Sequence, residues 1–311
     1  MQKTDEVIQS VGRVIVGKEH IIRQILMTIL AGGHILLEDV PGTGKTTLAL
    51  ALSKAIGLTG RRIQFTPDVM PSDIVGYSIY DRESGTFSYH PGILSGTNLL
   101  LGDEINRTSS KTQSALLEAM EEGQVTVDGA TYPLPKPFNV IATQNPVGAA
   151  GTHPLPQAQV DRFMVRLSIG YPDREAQMTL LRDRLNANPL EEIGTVLSLT
   201  ELLELQREAE HVTIREEVLE YITDLALASR EEERLEMGIS PRGTLFLTRM
   251  AKACAFMDGR DYVTGSDVVT VWHPVCNHRV QLSRRARLEG ETQQSILEQV
   301  IARVRTPDER L

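Results

Sequence analysis

Cysteine, charge-free apolar runs and basic clusters are all scarce in this chain, and each shortage excludes a class of protein. Only Cys254 and Cys276 occur in 311 residues, which is too few for a disulfide-held secreted fold and suits a reducing compartment. The longest stretch without a charged side chain, 137–160, is interrupted by prolines and glycines, so it cannot form a membrane helix. The N-terminus contains Asp5 and Glu6 and lacks an apolar signal core. We therefore expect a cytoplasmic protein without membrane insertion.

The charge pattern argues against nucleic acid as a partner. The formal net charge is −9, and no run rich in lysine and arginine offers the basic stripe that a phosphate backbone requires. The segment from His273 to His278, which includes Cys276, contains side chains that can bind metals. Because no second Cys or His pair lies at zinc-finger spacing, a packed helix is the better interpretation of that segment.

Apolar residues in the first half of the chain alternate between strand-like and helix-like spacing. Short runs typical of buried strands occupy 34–37, 62–66, 98–101, 139–143 and 164–169. The alternation predicts a three-layer α/β fold with a parallel sheet. Later residues show only helical stripes, with Thr213 and Ser240 as predicted helix N-caps. We place an αβα domain at 1–170 and an all-helical lid at 171–311.

A glycine-rich loop between a predicted strand and a predicted helix has the composition of a phosphate site. Its residues are Pro41, Gly42, Thr43, Gly44, Lys45, Thr46 and Thr47. In such loops glycines turn backbone amides onto phosphates, the lysine reaches the terminal two phosphates, and the first hydroxyl after it ligates Mg²⁺. The usual pattern begins with a glycine where this chain has Asp39. We predict ATP and Mg²⁺ as ligands; a helix cap with an incidental lysine is the alternative.

Two carboxylates, Asp103 and Glu104, follow the apolar run that ends at Leu101. Open α/β sheets present their chemistry at the carboxyl ends of strands. We therefore predict that Asp103 belongs to the magnesium shell and that Glu104 polarises the attacking water. A solvated strand end is the ordinary alternative for two acids, but a strand expected beside the phosphate loop favours an ATPase site.

Four motifs, in this order, resemble those of MoxR-type AAA+ ATPases. They are Gln-Phe-Thr-Pro-Asp-Val-Met-Pro-Ser-Asp-Ile at 64–74, Asp-Glu-Ile-Asn-Arg at 103–107, Ala-Thr-Gln-Asn-Pro at 142–146 and Asp-Arg-Phe at 161–163. The resemblance covers roughly 16–279. It implies a P-loop AAA+ core with a helical lid, assembled as a homo-oligomeric ring, with a hexamer as the expected size.

The resemblance also implies roles for single residues. Asn145 matches sensor 1, which detects the γ-phosphate, with a turn-capping asparagine as the alternative. Arg162 matches the arginine finger that enters the neighbouring subunit's site. A local pair with Asp161 is the alternative for Arg162, and Arg166, expected one helical turn later, is a second candidate for the finger. Arg242, at the start of a lid helix, matches sensor 2, which couples lid angle to phosphate occupancy.

Further features suggest how turnover is controlled and where work is delivered. Gln64, or alternatively Thr66, is the expected polar partner that holds Glu104 idle until a substrate docks. Two predicted hairpins, at 79–94 and 124–134, resemble those that face the central pore or the client in this family. Ordinary surface hairpins are the alternative.

These observations predict an ATP-hydrolysing ring that remodels a protein client, and the resemblance implies a chaperone-like role with a von Willebrand factor A (VWA) domain protein as partner. A nucleotide-gated scaffold, whose ATP-bound ring docks a partner without turnover, is the alternative. The complete pair of Asp103 and Glu104 argues against that scaffold. A small-molecule kinase would gain nothing from Arg162 or Arg242, and a DNA motor would need a basic pore hairpin.

Overall fold

Parallel strand pairing organises the first half of the chain. The structure is a computed structural model that describes residues 3–40, 42–83, 85–144, 155–185 and 188–307. In chain order its strands are β1 (Ile35–Glu38), β2 (Gly60–Gln64), β3 (Gly76–Asp81), β4 (Thr86–Pro91), β5 (Leu99–Asp103), β6 (Gln124–Val127), β7 (Ala130–Pro133), β8 (Asn139–Gln144), β9 (Val165–Leu167), β10 (Leu235–Met237) and β11 (Gln281–Leu282). Five of those described strands form one sheet in the order β2-β5-β8-β1-β9, and every pairing within it is parallel.

Helices cover both faces of this sheet and continue into the second half of the chain. The earlier helices are α1 (Lys3–Gly12), α2 (Glu19–Leu30), α3 (Lys45–Ala55), α4 (Pro71–Val75), α5 (Ser110–Glu122) and α6 (Gln157–Val160). The later helices are α7 (Arg174–Asp183), α8 (Pro189–Glu192), α9 (Leu199–His211), α10 (Glu216–Glu231), α11 (Pro241–Met257), α12 (Gly265–Cys276), α13 (Arg284–Leu288) and α14 (Gln293–Arg303). Within the described ranges, no helix combines the length and the apolar character that crossing a bilayer requires.

Alternation along the strands divides the buried side chains between two cores. Leu37 and Leu101 pack on one face, in a cluster that includes α1 to α3 and extends to Trp272 in the later helices. Leu36 and Leu100 point to the other face and pack in a second cluster with α4 and α5. The predicted three-layer αβα architecture is confirmed.

The parallel register gathers the carboxyl ends of the strands at one edge of the sheet. Gln64, the last residue of β2, lies opposite Asp103, the last residue of β5. Glu38, which ends β1, lies opposite Gln144, which ends β8. Strands β1, β5 and β8 therefore end at this edge, where the sequence predicts the nucleotide site.

Both predicted hairpins form and touch each other. The first pairs β3 with β4 and begins at Gly76, slightly earlier than expected. The second pairs β6 with β7 and turns at Asp128 and Gly129, which both have positive φ angles. The rings of Tyr89 and Tyr132 stack with centroids 3.9 Å apart, which joins the two hairpins.

Three local predictions need correction. The later half is not entirely helical, because β10 and β11 form a short antiparallel pair. Arg166 lies on strand β9, opposite Leu36, and not one helical turn after Arg162. Ser240 does cap its helix through Gly243, whereas α10 begins at Glu216 without a side-chain cap and Thr213 instead forms a bridge with Tyr262.

Candidate functional site

The phosphate loop leaves β1 and enters α3 with a backbone that favours glycine. Gly42 and Gly44 have φ angles of 87° and 90°, a region that strains residues with a side chain. A Cβ built on Gly42 would meet no atom within 4 Å, so the loop is open to a ligand at that point. Gly44 directly precedes α3, whose N-terminus adds backbone N–H groups and its positive dipole end.

Lys45 points back into this loop. Its ammonium donates hydrogen bonds of 2.9 Å each to the backbone carbonyls of Asp39 and Val40. Partial burial lowers the pKa of Lys45, while the negative charges of Asp39, Asp103 and Glu104 oppose that shift. The lysine and these three acids therefore share one electrostatic environment.

Asp39, the departure from the usual loop pattern, has a structural function. Its buried carboxylate accepts hydrogen bonds from the backbone N–H groups of Val40 at 2.9 Å and Gly170 at 2.7 Å. It also accepts a longer bond of 3.3 Å from the Ser168 hydroxyl. The side chain thus ties the end of β1 to the segment after β9 and leaves its own backbone carbonyl facing Lys45.

Thr46 and Asp103 meet although they lie in different elements. The Thr46 hydroxyl donates to Asp103 Oδ2 at 3.3 Å, and the Thr143 hydroxyl donates to Oδ1 at 3.3 Å. Hydroxyl and carboxylate oxygens are the ligand types that Mg²⁺ prefers. The residues present therefore fit a magnesium site, which Thr46 and Asp103 would hold.

Glu104 is held in a left-handed backbone conformation with φ 58°. Its backbone N–H donates to the Thr143 hydroxyl at 2.9 Å. Its carboxylate accepts from Gln64 Nε2 at 3.0 Å and pairs with Arg107 at 3.1 Å. The contact with Gln64 favours that residue over Thr66 as the partner of Glu104.

Arg62 belongs to this cluster and escaped the sequence analysis. Its guanidinium Nε lies 2.7 Å from Asp103 Oδ2, the same oxygen that Thr46 contacts. Arg62 also donates to Gln64 Oε1 at 3.3 Å. Arg62 and Gln64 are two residues apart on β2, so their shared strand face was the signal that could have found Arg62.

Arg162 lies at the opposite edge of the sheet from Lys45. It precedes β9, whose first residue Val165 pairs with Ile35, the first residue of β1. Lys45 follows the last residue of β1, Glu38, through the phosphate loop. The length of the sheet therefore separates Arg162 from the phosphate loop of its own chain.

Arg242 joins Arg162 at this far edge through Glu121, a residue that the sequence analysis missed. Arg162 pairs with Glu121 Oε2 at 3.1 Å, and Arg242 contacts Glu121 Oε1. Arg242 also lies 3.8 Å from Asp161. All three members of the Arg162–Glu121–Arg242 triad are partly exposed. The structure thus brings the two predicted arginines together and places neither beside Lys45.

Residues from the second half of the chain, close to α11 and α12, hold the segment before β9 by hydrogen bonds and an ion pair. Arg279, which is almost fully buried, pairs with Asp161 at 3.0 Å and donates to the carbonyl of Phe163 at 2.7 Å. Burial lowers the pKa of Arg279 to about 10, although Asp161 opposes the shift. Ser240 donates to Asp161 at 3.0 Å. Two lid residues therefore fix the backbone that carries Arg162.

The remaining candidates make fewer contacts or fall outside the described ranges. The Thr43 hydroxyl donates to the carbonyl of Val40 at 3.3 Å, and Thr47 is half-buried in the first turn of α3. Pro41 and Asn145 lie outside the residues that the structure describes. Their predicted roles remain predictions.

Comparisons with known proteins match both halves of the chain. A model of the ATPase family associated with various cellular activities (AAA) matches residues 34–165, and an AAA lid domain model matches residues 227–300. A Bacillus subtilis protein named YeaC is 44% identical over 303 residues, which cover 97% of this chain and 94% of that protein. Chaperone MoxR1 of Mycobacterium tuberculosis is 37% identical over 312 residues, covering 97% of this chain and 82% of the relative. A crystal structure from Cytophaga hutchinsonii, described there as a candidate ATPase, superposes with a TM-score of 0.89 at 41% identity, covering 98% of this chain and 95% of its own.

Proposed function

The chain belongs to the MoxR family of AAA+ ATPases, and from that membership we propose that it hydrolyses ATP in a ring, expected to be a hexamer, to remodel a protein client. The observation that carries the proposal is the meeting of Thr46 with Asp103, beside Lys45 and Glu104, at the carboxyl edge of the sheet. This is the arrangement that a magnesium nucleotide requires.

Each residue of the cluster has a chemical part in the proposed reaction. The glycines and the α3 N-terminus bind the phosphates, Lys45 contacts the terminal two, and Glu104 accepts a proton as water attacks the γ-phosphorus. The bond from that phosphorus to the β–γ bridging oxygen breaks, which yields ADP and phosphate. Thr46 and Asp103 would hold Mg²⁺, which would neutralise part of the phosphate charge.

Gln64 is proposed to regulate this step. It donates to the Glu104 carboxylate, so a Glu104 engaged in that bond is not free to accept a proton from water. Release of the bond when a client docks would make turnover depend on the client. Asn145, outside the described residues, keeps its proposed role as sensor 1.

A ring is proposed because the arginines lie far from the phosphate loop of their own chain. Arg162 and Arg242 share Glu121 at the edge opposite Lys45, and we propose that each acts on a nucleotide bound by a neighbouring protomer. Arg162 would neutralise charge on the transferring phosphoryl group, as arginine fingers do. Arg242 would report the neighbour's phosphate to the lid.

The proposal extends to domains and partners. The AAA match at 34–165 and the lid match at 227–300 fall on either side of the proposed division into 1–170 and 171–311. The hairpins β3–β4 and β6–β7 are proposed to face the pore or the client. A VWA-domain protein in the cytoplasm is the proposed partner, and neither nucleic acid nor membrane is expected to bind.

Substitution of Glu104 provides the first test. Glu104→Gln keeps the shape of the side chain and removes the base, so it should bind ATP like the parent chain and lose turnover by at least about 100-fold. Hydrolysis of the parent should rise more than linearly with protein concentration as protomers assemble. Full activity in a monomer would refute the ring, and unchanged turnover in Glu104→Gln would refute the assigned base.

The same variant separates an active remodeller from the nucleotide-gated scaffold. Client capture by Glu104→Gln with ATP, compared with ADP, identifies the state that holds the partner. A remodeller needs ATP turnover to mature its client. Glu104→Gln should therefore bind the client but fail to release it in a mature form. Normal client function in Glu104→Gln would favour the scaffold.

Mixed rings test the action of Arg162 in trans. Lys45→Ala protomers cannot hold nucleotide but keep their arginines, whereas Arg162→Ala protomers hold nucleotide but lack the finger. The two variants are co-expressed with different tags. Hydrolysis should return at interfaces where a Lys45→Ala protomer supplies its Arg162 to the nucleotide bound by an Arg162→Ala protomer. Mixed rings as inactive as the separate variants would refute action in trans.

A further inference from the structure

Glu121 lies in the last turn of α5, between two guanidinium groups that come from other parts of the chain. One carboxylate oxygen pairs with Arg162 at 3.1 Å and the other contacts Arg242. Arg162 precedes strand β9, and Arg242 lies in the first turn of the lid helix α11. One carboxylate thus joins α5, the sheet and the lid at the edge where the proposed trans-acting arginines lie.

The backbones that carry this triad are fixed from inside the protein. The carbonyl of Met120, next to Glu121, accepts a hydrogen bond from buried His34 Nε2 at 3.0 Å. Asp161, next to Arg162, is held by Arg279 and by Ser240. Rigid supports behind partly exposed side chains are what a preorganised site requires.

Electrostatics explains why a carboxylate is needed between the two arginines. Two guanidinium groups side by side repel each other unless an anion lies between them. Each guanidinium has five N–H donors, and Glu121 engages a terminal nitrogen of each. The nitrogens that Glu121 does not engage can donate to a second anion, and among them Arg242 Nη1 lies 3.8 Å from Asp161. A cavity of about 760 Å³, lined by all three triad residues, opens beside them.

We propose that Glu121 is a positioning residue that aligns Arg162 and Arg242 as a pair for the triphosphate of the neighbouring protomer. This inference rests on the proposed function, because it requires both arginines to act across the ring interface. Glu121 itself contacts neither nucleotide nor water in the proposed reaction. It keeps the two cations adjacent, so that both meet the neighbour's phosphates without a further conformational search.

A purely structural role for Glu121 makes a different prediction. A residue that only stabilises the fold would lower the midpoint of thermal unfolding when it is replaced. Because ion pairs between partly exposed side chains contribute little to stability, we expect that midpoint to change little when Glu121 is replaced. A positioning role instead affects turnover, because displacing a catalytic group by about 1 Å can slow a reaction about 100-fold. Stability and kcat therefore distinguish the two roles.

The first experiment compares Glu121→Gln with Glu122→Gln, its exposed neighbour at the end of α5. Glu121→Gln should lower kcat at least about tenfold, with little change in ATP affinity or in the unfolding midpoint. Glu122→Gln should match the parent chain. A double variant of Glu121→Gln with Arg162→Ala should be no slower than Arg162→Ala alone, because Glu121 acts through that arginine.

Mixed rings provide the readout that a structural role would not change. Lys45→Ala protomers keep an intact triad, so co-expression with Glu121→Gln should restore hydrolysis as it does with Arg162→Ala. Failure with both Arg162→Ala and Glu121→Gln would refute the trans action in the proposed function. Recovery with Arg162→Ala but not with Glu121→Gln would overturn the inference about Glu121.

Three further results would also overturn it. The first is an unchanged kcat in Glu121→Gln. The second is an equal loss of kcat in Glu121→Gln and in Glu122→Gln. The third is a double variant, Glu121→Gln with Arg162→Ala, whose loss equals the two single losses combined. Should Glu121→Gln fail to assemble, Glu121→Asp takes its place. It keeps the charge but withdraws it by one methylene, so the same loss of kcat and the same recovery in mixed rings are expected.

Discussion

Asp39 offers the most direct test of how this phosphate loop is built. Replacing it with glycine restores the usual loop pattern and removes a carboxylate that accepts bonds from Val40, Gly170 and Ser168. The bond from Gly170, at 2.7 Å, joins distant segments and should contribute most. Hydrogen bonds to charged groups contribute about 1.5–3 kcal/mol each, and a new glycine costs about 1 kcal/mol in backbone entropy. Counting only the Gly170 bond at about 2 kcal/mol, because the other two are local or long, and the glycine at about 1 kcal/mol, we expect Asp39→Gly to lose about 3 kcal/mol of stability.

The expected loss is measurable without nucleotide, which would otherwise raise the midpoint by mass action. A loss of that size lowers the thermal midpoint by roughly 5 °C in a chain of 311 residues. ATP binding should be unchanged or tighter, because the backbone carbonyl that faces Lys45 remains and a negative charge near the phosphates is removed. A fluorescent ATP analogue, titrated into the variant and the parent chain, measures that affinity.

Asp39→Asn provides the matched control. The amide keeps one acceptor oxygen, so it can serve either Val40 or Gly170 but not both, and its stability should fall between those of the parent and Asp39→Gly. Weaker ATP binding in Asp39→Gly, with an unchanged midpoint, would refute this account. It would mean that the carboxylate serves the nucleotide and not the junction between β1 and the segment after β9.

Three other predictions follow from buried contacts. Burial lowers the pKa of His34 to about 4 and that of His278 well below its usual value. Both histidines therefore bind protons more readily in the unfolded chain. The stability of the folded protein should be complete above about pH 6.5 and should fall as the pH drops towards 4. Thermal midpoints across that range should show a shallower fall in His34→Gln, and an equal slope would contradict the assignment. Arg279→Met should lower the free energy of unfolding by about 3 kcal/mol, because it leaves the Asp161 carboxylate without its buried partner. Denaturant unfolding measures this free energy, and an unchanged value would show that the pair of Arg279 and Asp161 is dispensable for stability. Tyr132→Ala should speed amide exchange in hairpin β3–β4 by removing the stack between hairpins, whereas Tyr77→Ala, whose ring stacks within that hairpin, should leave the contact between hairpins intact.

The sequence alone was enough to predict the centre of the candidate site. Lys45 and Thr46 are adjacent in one motif, and Asp103 and Glu104 end a strand whose apolar pattern is plain. In a parallel sheet the ends of such strands meet at one edge, so their proximity follows from local patterns. The two faces of the sheet follow in the same way from alternation along each strand.

Other features were decided only by tertiary packing. The expectation that Arg166 lies one helical turn after Arg162 conflicted with the strand predicted at 164–169, and the structure, which has Arg166 on β9, agrees with the strand. The partners of Asp39 became apparent only when the segment after β9 lay against the end of β1.

The sequence by itself determined the nucleotide-binding edge, because each of its motifs is contiguous and the rules of parallel sheets bring those motifs together. Only the tertiary structure decided that Glu121 lies between Arg162 and Arg242, which are far from it in the sequence. The physical reason is that a helical stripe fixes which face of α11 is buried, but not where the lid settles against α5. A long-range ion pair depends on that docking, which no local pattern encodes.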